Sequence, residues 1–211
     1  MNFLALLGWS PGNDQEYFER DELIAAFSLE GISSSNAVFN PEKLEWFSAQ
    51  HIARMPAAEL VRRIEPRLRE AGLWRADLDT DAGRDWLARL VDLLRPRAKR
   101  LTDFVEKGRP FLVSDVEYDA DAVKKHLSSA DALAHLAAVR ETCAAVEPFT
   151  AAALEPAVRA LAESRGVKAA ALIHPTRVAV VGRAESPGIF EVLELLGRER
   201  VLARISGVLS S

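Results

Sequence analysis

The feature that most constrains the fold is a repeated pattern of apolar residues at three- and four-residue intervals, bounded by helix-capping residues. In the clearest case, Thr80 precedes a stretch whose apolar residues, from Trp86 to Leu94, recur on one helical face. Proline lacks an N–H group and restricts the residue before it, so this helix is predicted to end before Pro96. Equivalent helix starts are predicted at the capping residues Asn40, Asp119, Thr150 and Ser186.

Two segments carry signals typical of strands: "RPFLV" at residues 109–113 and "RVAVVG" at residues 177–182. By pattern, the second segment fits a strand as well as a helix. The segment "SPGIFEVLELLG" is a clearer helix, because Ser186 suits the N-cap, Pro187 the first helical position and Gly197 the C-terminal end. The sequence therefore predicts two or three consecutive helical bundles.

The composition is that of a globular chain. Of the 211 residues, 49% are apolar and 27% are charged, which suits one large domain or two small ones and argues against disorder. No run of about 18 apolar residues occurs, so no membrane span is predicted. The single cysteine, Cys143, excludes an internal disulfide and a cysteine-based zinc site, and its alanine-rich surroundings favour a buried thiol. These features are typical of a cytoplasmic protein.

The sequence contains no motif that carries a reaction. Neither GxxxxGK nor GxGxxG occurs, the serines in "SLEGISSSN" lack the context of a nucleophile, and the carboxylates accompany lysine and arginine as in solvated ion pairs. The histidines have no HExxH-type spacing, so no metal site is predicted. They are His51, His126, His135 and His174. We therefore predict no catalytic residue.

Positive charge is concentrated locally, although the net charge of the chain is −4. Between Arg89 and Arg109, seven lysines and arginines accompany three acidic residues, a local excess of four positive charges. Arg97 directly follows Pro96, and Arg177 lies two residues after Pro175, so a proline stiffens the backbone near each arginine. Arginines placed in this way can donate to base edges or phosphates of unstacked RNA. The pattern alone leaves RNA binding open against an ordinary solvated helix face.

The longest motifs resemble those of a known family. Residues 2–52, which include "LLGWSPG", "DELI" and "AVFNPEKLEW", resemble the segment that follows the KMSKS-type loop in bacterial glutamyl-tRNA synthetases. "LLRPRAKRLTDF" and "HPTRVAVVGRAESPGIFEVLELLGRERVLARI" are similar to the anticodon-binding end of the same enzymes. The resemblance covers essentially the whole chain. It implies the C-terminal portion of such an enzyme, stem-contact plus anticodon-binding, without the catalytic Rossmann domain.

This resemblance implies an all-α architecture of consecutive helical bundles that end in an anticodon-binding helix cage. On the same basis "RVAVVG" is helical, with Pro175 in the first turn of its helix. Three parts are implied: a remnant of the stem-contact region at residues 1–58, a first anticodon-binding subdomain at 59–108 and a second at 109–211.

The function implied by the resemblance is recognition of the anticodon loop of tRNA(Glu) by a chain that is inactive alone. The HIGH-type and KMSKS-type signatures are missing, so ATP and Mg²⁺ would bind the absent catalytic domain of the same enzyme, and this chain would have no cofactor. A monomer is expected. Two alternatives remain open: a free-standing tRNA-binding or regulatory protein derived from that domain, and a helical protein-interaction module.

The resemblance also implies individual RNA contacts. Arg97 aligns with the arginine that reads the third anticodon base and separates glutamate tRNA from glutamine tRNA. Arg177 and Ser186 align with positions near the first two anticodon bases, although some family members have threonine in place of Ser186. Ile189 is expected to pack against a base. The neighbouring arginines Arg95 and Arg183 complete the predicted anticodon-binding set.

Overall fold

The structure is a computed structural model that describes residues 1–33 and 37–210. The serine-rich stretch "SLEGISSSN", for which no nucleophile is predicted, includes Ser34, Ser35 and Asn36. These three residues and the terminal Ser211 lie outside the described residues. Twelve α-helices are present in the described part: α1 Asn2–Ala5, α2 Arg20–Ala26, α3 Pro41–Arg54, α4 Ala57–Glu70, α5 Asp81–Leu94, α6 Asp103–Leu112, α7 Ala120–His126, α8 Ala130–Ala145, α9 Ala151–Ser164, α10 Ala170–Val181, α11 Ile189–Leu196 and α12 Arg198–Leu209.

Strand pairing is limited, within residues 1–33 and 37–210, to one isolated antiparallel bridge between Trp9 and Ile32. Two short 3₁₀ helices complete the regular structure, at Ala76–Asp79 and at Arg95–Arg97. The all-α prediction is therefore confirmed.

Three of the predicted N-caps are confirmed by their side-chain hydrogen bonds. Asn40 accepts from the backbone N–H of Lys43 at 3.1 Å. Thr80 and Asp119 accept in the same way from the third residue along the chain, at 3.1 and 2.7 Å. The predicted end of α5 is also confirmed: the α-helix stops at Leu94, and Pro96 lies in the 3₁₀ turn that follows.

The predicted cap at Ser186 is wrong. Helix α11 begins at Ile189 with Gly188 at its N-cap, and the Ser186 hydroxyl donates instead to the carbonyl of Pro187 at 2.8 Å. Thr150 does stand at the N-cap of α9, but its side chain makes no capping bond. The carboxylate of Glu194, on α11, accepts from the first N–H of α9 at 2.7 Å. A side chain distant in sequence therefore caps this helix.

Both strand signals are wrong, and the helix implied by the resemblance is confirmed. "RVAVVG" lies in α10, and "RPFLV" ends α6. Pro175 is not in the first turn, because α10 already begins at Ala170. Leu172, Val178 and Val180 on α10 are fully buried, so packing against neighbouring helices on several sides outweighs the strand preference of the valines.

The helices from the end of α3 to α12 share one main hydrophobic core. Its buried cluster includes residues from Ile52 to Ile205. Cys143 belongs to it, and burial raises the pKa of its thiol to about 11, which confirms the predicted core thiol. A second, small cluster of Trp9, Phe18 and Leu23 lies in the N-terminal segment. The predicted boundaries near residues 58 and 108 stay predictions.

No helix in the described ranges is both long and apolar enough to cross a lipid bilayer.

Candidate nucleic-acid interface

A cavity of about 390 Å³ lies where the end of α5, helix α6 and the loop between α10 and α11 meet. Three cations, Arg97, Lys107 and Arg183, stand at its wall. Ser186 contributes a hydroxyl, Glu106 and Glu185 contribute carboxylates, and the prolines Pro110 and Pro187 contribute apolar surface. A concave site with an apolar floor and a few polar groups at its edge is the common form of a ligand site.

The local fold fixes the position of Arg97. The residue closes the 3₁₀ turn in which Pro96 sets the backbone, and the next residue, Ala98, is buried in the main core. The ammonium group of Lys107, one helix away on α6, donates to the carbonyl oxygen of Arg97. The backbone is therefore held on both sides of Arg97, while its side chain is exposed.

The structure shows which of the clustered cations are neutralised. Five of the seven lysines and arginines between residues 89 and 109 form an ion pair with a carboxylate; these are Arg89, Arg95, Lys99, Arg100 and Lys107. Within the described ranges, Arg97 and Arg109 form none, and neither does Arg183 on the loop after α10. Within the basic run, the excess of positive charge thus resolves to Arg97 and Arg109, of which Arg97 lines the cavity together with Arg183 from the later loop.

Arg177 lies on α10, behind the loop that borders the cavity. Its Nη1 atom donates a long hydrogen bond, 3.5 Å, to the carbonyl of Ala184 in that loop, and its Nε atom is buried without a partner in the described structure. Burial lowers the pKa of the Arg177 guanidinium, and the positive charge of nearby Arg97 lowers it further. A half-buried cation next to a second cation is suited to an anionic ligand, because such a ligand would relieve the repulsion.

Comparison with known proteins decides the family. A sequence family described as "Anticodon binding domain" matches residues 59–209, most of the chain. The chain belongs to the anticodon-binding domain family.

The relatives of this anticodon-binding domain are glutamate–tRNA ligases. The chain is 38% identical over 207 residues to the "Glutamate--tRNA ligase" of Desulforudis audaxviator and 40% identical over 205 residues to "Glutamate--tRNA ligase 2" of Koribacter versatilis. The alignments cover 97% of this chain but only 41% and 42% of those proteins. The chain therefore spans about two fifths of the length of the curated relatives that it matches.

The fold of the domain also occurs in solved ligases. A glutamate–tRNA ligase from Elizabethkingia meningosepticum superimposes with a TM-score of 0.87 at 25% identity, covering all of this chain and 40% of that one. A glutamate–tRNA synthetase from Elizabethkingia anophelis gives a TM-score of 0.82 at the same identity. The match lies in the C-terminal part of these enzymes, as the sequence motifs implied.

Two of the predicted contact residues lie outside the cavity of the anticodon-binding domain. Arg95 pairs with Asp92 and donates to the backbone carbonyls of Ala53 and Met55, the latter at 2.9 Å, so its guanidinium fastens the end of α3 to the rest of the fold. Ile189 is 4% exposed and packs in the main core, which leaves no free apolar surface for a base in this conformation. Three other predicted residues, Arg97, Arg183 and Ser186, line the cavity, and the fourth, Arg177, lies behind the bordering loop and donates to Ala184 within it.

Sequence reasoning missed several residues of the anticodon-binding domain that line the cavity, among them Lys107 and the acidic residues Glu106 and Glu185. Lys107 belongs to the basic run, but nothing in the pattern shows that it faces Arg97. Phe111 belongs to a segment with a strand signal, and its position on α6 places it at the cavity wall, where its side chain is buried. No group of three or more potential metal ligands is assembled among the residues described.

Proposed function

We propose that this chain recognises the anticodon loop of tRNA(Glu) as the C-terminal part of a glutamate–tRNA ligase. The observation that carries the proposal is that Arg97 and Arg183 line one cavity while Arg177 lies behind the loop that borders it, and that none of the three forms an ion pair in the described structure. The names of the relatives supply the substrate class. The chain carries no reacting group of its own in this proposal, and ATP and Mg²⁺ are bound by the catalytic portion of the ligase.

The geometry suits unstacked nucleotides rather than a duplex. A guanidinium presents paired donors to base acceptors or to a phosphate, and each wrongly paired base costs about 1–3 kcal/mol, by analogy with groove readout. Arg97 is exposed on a stiff turn and can reach a base, whereas half-buried Arg177 offers a cation in a less polar setting. Ser186 supplies a small hydroxyl beside them. Base readout by Arg97 and charge from Arg177 and Arg183 together account for selective binding.

Replacing Arg97 by glutamine is expected to weaken selection between tRNA(Glu) and tRNA(Gln) while leaving the fold intact. The exposed side chain makes no ion pair in the described structure, so its loss should change stability by less than about 0.5 kcal/mol. Filter-binding titrations against both tRNAs, at about 50 and 200 mM salt, measure the effect.

The matched control is Arg100→Gln, because Arg100 lies in the same basic run but pairs with Glu45. This variant should bind both tRNAs as the unmodified chain does. Equal affinity of the unmodified chain for tRNA(Glu) and tRNA(Gln) would contradict the assignment of specificity to Arg97. Affinity that does not respond to salt would contradict RNA binding itself and would favour the alternative of a protein-interaction module.

The partner in this proposal is the catalytic portion of the ligase, and the first 46 residues present the surface for it. Ten of the eleven large hydrophobic side chains that are exposed in the described residues lie in this segment, among them Leu4, Ile24 and Leu29. Such a concentration of apolar surface marks an interface. The chain covers about 41% of its relatives, so the relatives contain ample further sequence to cover this surface.

Replacing Ile24 and Leu29 together by serine should therefore abolish association with the remaining part of the Desulforudis audaxviator ligase, supplied as a separate protein. The side chains are 60% and 75% exposed, so the urea midpoint of the variant should stay unchanged. Binding is measured by calorimetry, with Arg159→Ser on α9 as the control substitution. Retained association of the double variant would show that the interface lies elsewhere. A monomeric chain in the cytoplasm completes the proposal.

A further inference from the structure

Two histidines form a stacked pair beside the arginine cluster. The rings of His126, at the end of α7, and His174, on α10, lie with centroids 5.0 Å apart and planes 19° from parallel. Both side chains are partly exposed. The Nδ1 atom of His174 is buried without a hydrogen-bond partner in the described structure, so no internal polar contact explains the orientation of this ring.

The pair is continuous with the cluster of arginines. Burial lowers the pKa of His126, and His174, Lys125 and Arg177 lower it further by their positive charge. The positive charge of Arg97 in turn lowers the pKa of Arg177. His174 and Arg177 lie three residues apart on α10, a spacing that brings side chains to the same side of a helix, so the histidine pair lies next to Arg177. Burial and the neighbouring positive charges disfavour the protonated imidazole of His126, and the ring offers an aromatic surface.

We propose that His126 and His174 form a platform on which an RNA base next to the anticodon stacks. This inference rests on the proposed function and adds a contact that the arginines do not supply. His126 is the ring that meets the base, and His174 supports it from below through the stacked contact.

The positively charged residues around the histidine pair favour RNA as its ligand. Lys124 and Lys125 are exposed in the last turn of α7, and Arg177 approaches from α10. A ligand that matches both the positive charges and the stacked rings carries negative charge and flat aromatic groups. Every unit of a single-stranded nucleic acid has both. Base–aromatic stacking contributes roughly 1–3 kcal/mol per base and tolerates any sequence. The platform therefore adds affinity, whereas Arg97 adds selectivity.

The test uses an RNA hairpin with the anticodon loop of tRNA(Glu), in which a fluorescent purine analogue replaces one nucleotide that flanks the anticodon. Stacking quenches the fluorescence of such an analogue, so the readout reports the base contact itself. With the unmodified chain we expect quenching at one flanking position. His126→Ala should abolish the quenching and weaken hairpin binding about tenfold, which corresponds to about 1.4 kcal/mol.

Two further variants separate stacking from packing. His126→Phe keeps an aromatic face and should retain both quenching and affinity, whereas His126→Leu keeps bulk without an aromatic face and should behave like His126→Ala. His51→Ala is the matched control, because this histidine also packs against a ring, that of Tyr17, but lies on α3. It should leave hairpin binding unchanged.

The outcomes distinguish the two proposals. If the unmodified chain does not bind the hairpin at low salt, both the proposed function and the platform are overturned. If the chain binds the hairpin but His126→Ala and His126→Leu retain full quenching and affinity, only the platform is overturned. Loss of quenching in the leucine variant together with its retention in the phenylalanine variant supports the platform, even if the alanine variant is too unstable to measure.

Discussion

Replacing Arg204 by methionine is expected to destabilise the fold by about 3 kcal/mol. Arg204 lies on α12 and is 7% exposed. Its guanidinium donates to the carbonyls of Pro110 and Val113 at the end of α6, at 2.7 and 2.8 Å, and to the carbonyl of Val180 at the end of α10. One side chain thus satisfies the terminal carbonyls of two helices, which have no partner within their own helices.

The sign of the expected change in stability depends on two opposing effects. Burial lowers the pKa of Arg204 to about 10, so the buried charge itself is costly. Removing it, however, leaves three carbonyls without a donor, at roughly 1–3 kcal/mol for each unsatisfied group. The apolar stem of methionine still fills the space, so the loss of hydrogen bonds dominates.

The measurement is the free energy of unfolding from urea titration, with Arg159→Met as the control. Among the described residues, Arg159 pairs with Glu155 alone, one turn away on α9, so this change should cost less than about 0.5 kcal/mol. Equal stabilities of the two variants would show that Arg204 contributes no more than a surface cation does.

Replacing Gly182 by alanine is expected to cost about 3 kcal/mol and to weaken RNA binding at the same time. Gly182 ends α10 in the left-handed conformation, with φ of 77°. A Cβ atom there would lie 2.1 Å from the carbonyl oxygen of Glu117, which is backbone and cannot move aside cheaply. The carbonyl of Gly182 also accepts from the N–H of Asp119 at 2.9 Å, so a shift would disturb the start of α7.

The effect on binding follows from the position of Gly182 in the chain. The loop that it opens carries Arg183 and Ser186 to the cavity, and Arg177 donates to Ala184 in the same loop. Displacing this loop should weaken binding of the tRNA(Glu) hairpin, as measured by filter binding. Binding unchanged by Gly182→Ala would show that the loop is not part of the interface.

Gly166→Ala is the matched control for this prediction. Gly166 also follows a helix with a positive φ, 65°, but a Cβ atom added to it would have no described neighbour within 4 Å. The control therefore isolates backbone strain, at roughly 1–2 kcal/mol, from steric overlap. Equal losses of stability in the two variants would contradict the role of the Glu117 contact.

The sequence by itself determined the helical character of the chain and the starts of α3, α5, α7 and α9. Asn40, Thr80 and Asp119 cap their helices as predicted, because a capping bond joins residues three positions apart and depends only on local backbone. Pro96 ended α5 for the same local reason. The family was accessible because long motifs survive in order along the chain, and the comparisons confirm it.

Only the tertiary structure decided that the two segments with strand signals are helical. It also decided which arginines are available to bind a ligand. The valines of α10 are buried on several sides, and this packing outweighs their local preference. Arg95 and Arg97 look alike in sequence, yet Arg95 is occupied by Asp92 and the end of α3 while Arg97 faces the cavity. The contacts that separate them come from residues far along the chain. Such contacts, and the meeting of His126 with His174, exist only once the helices have packed.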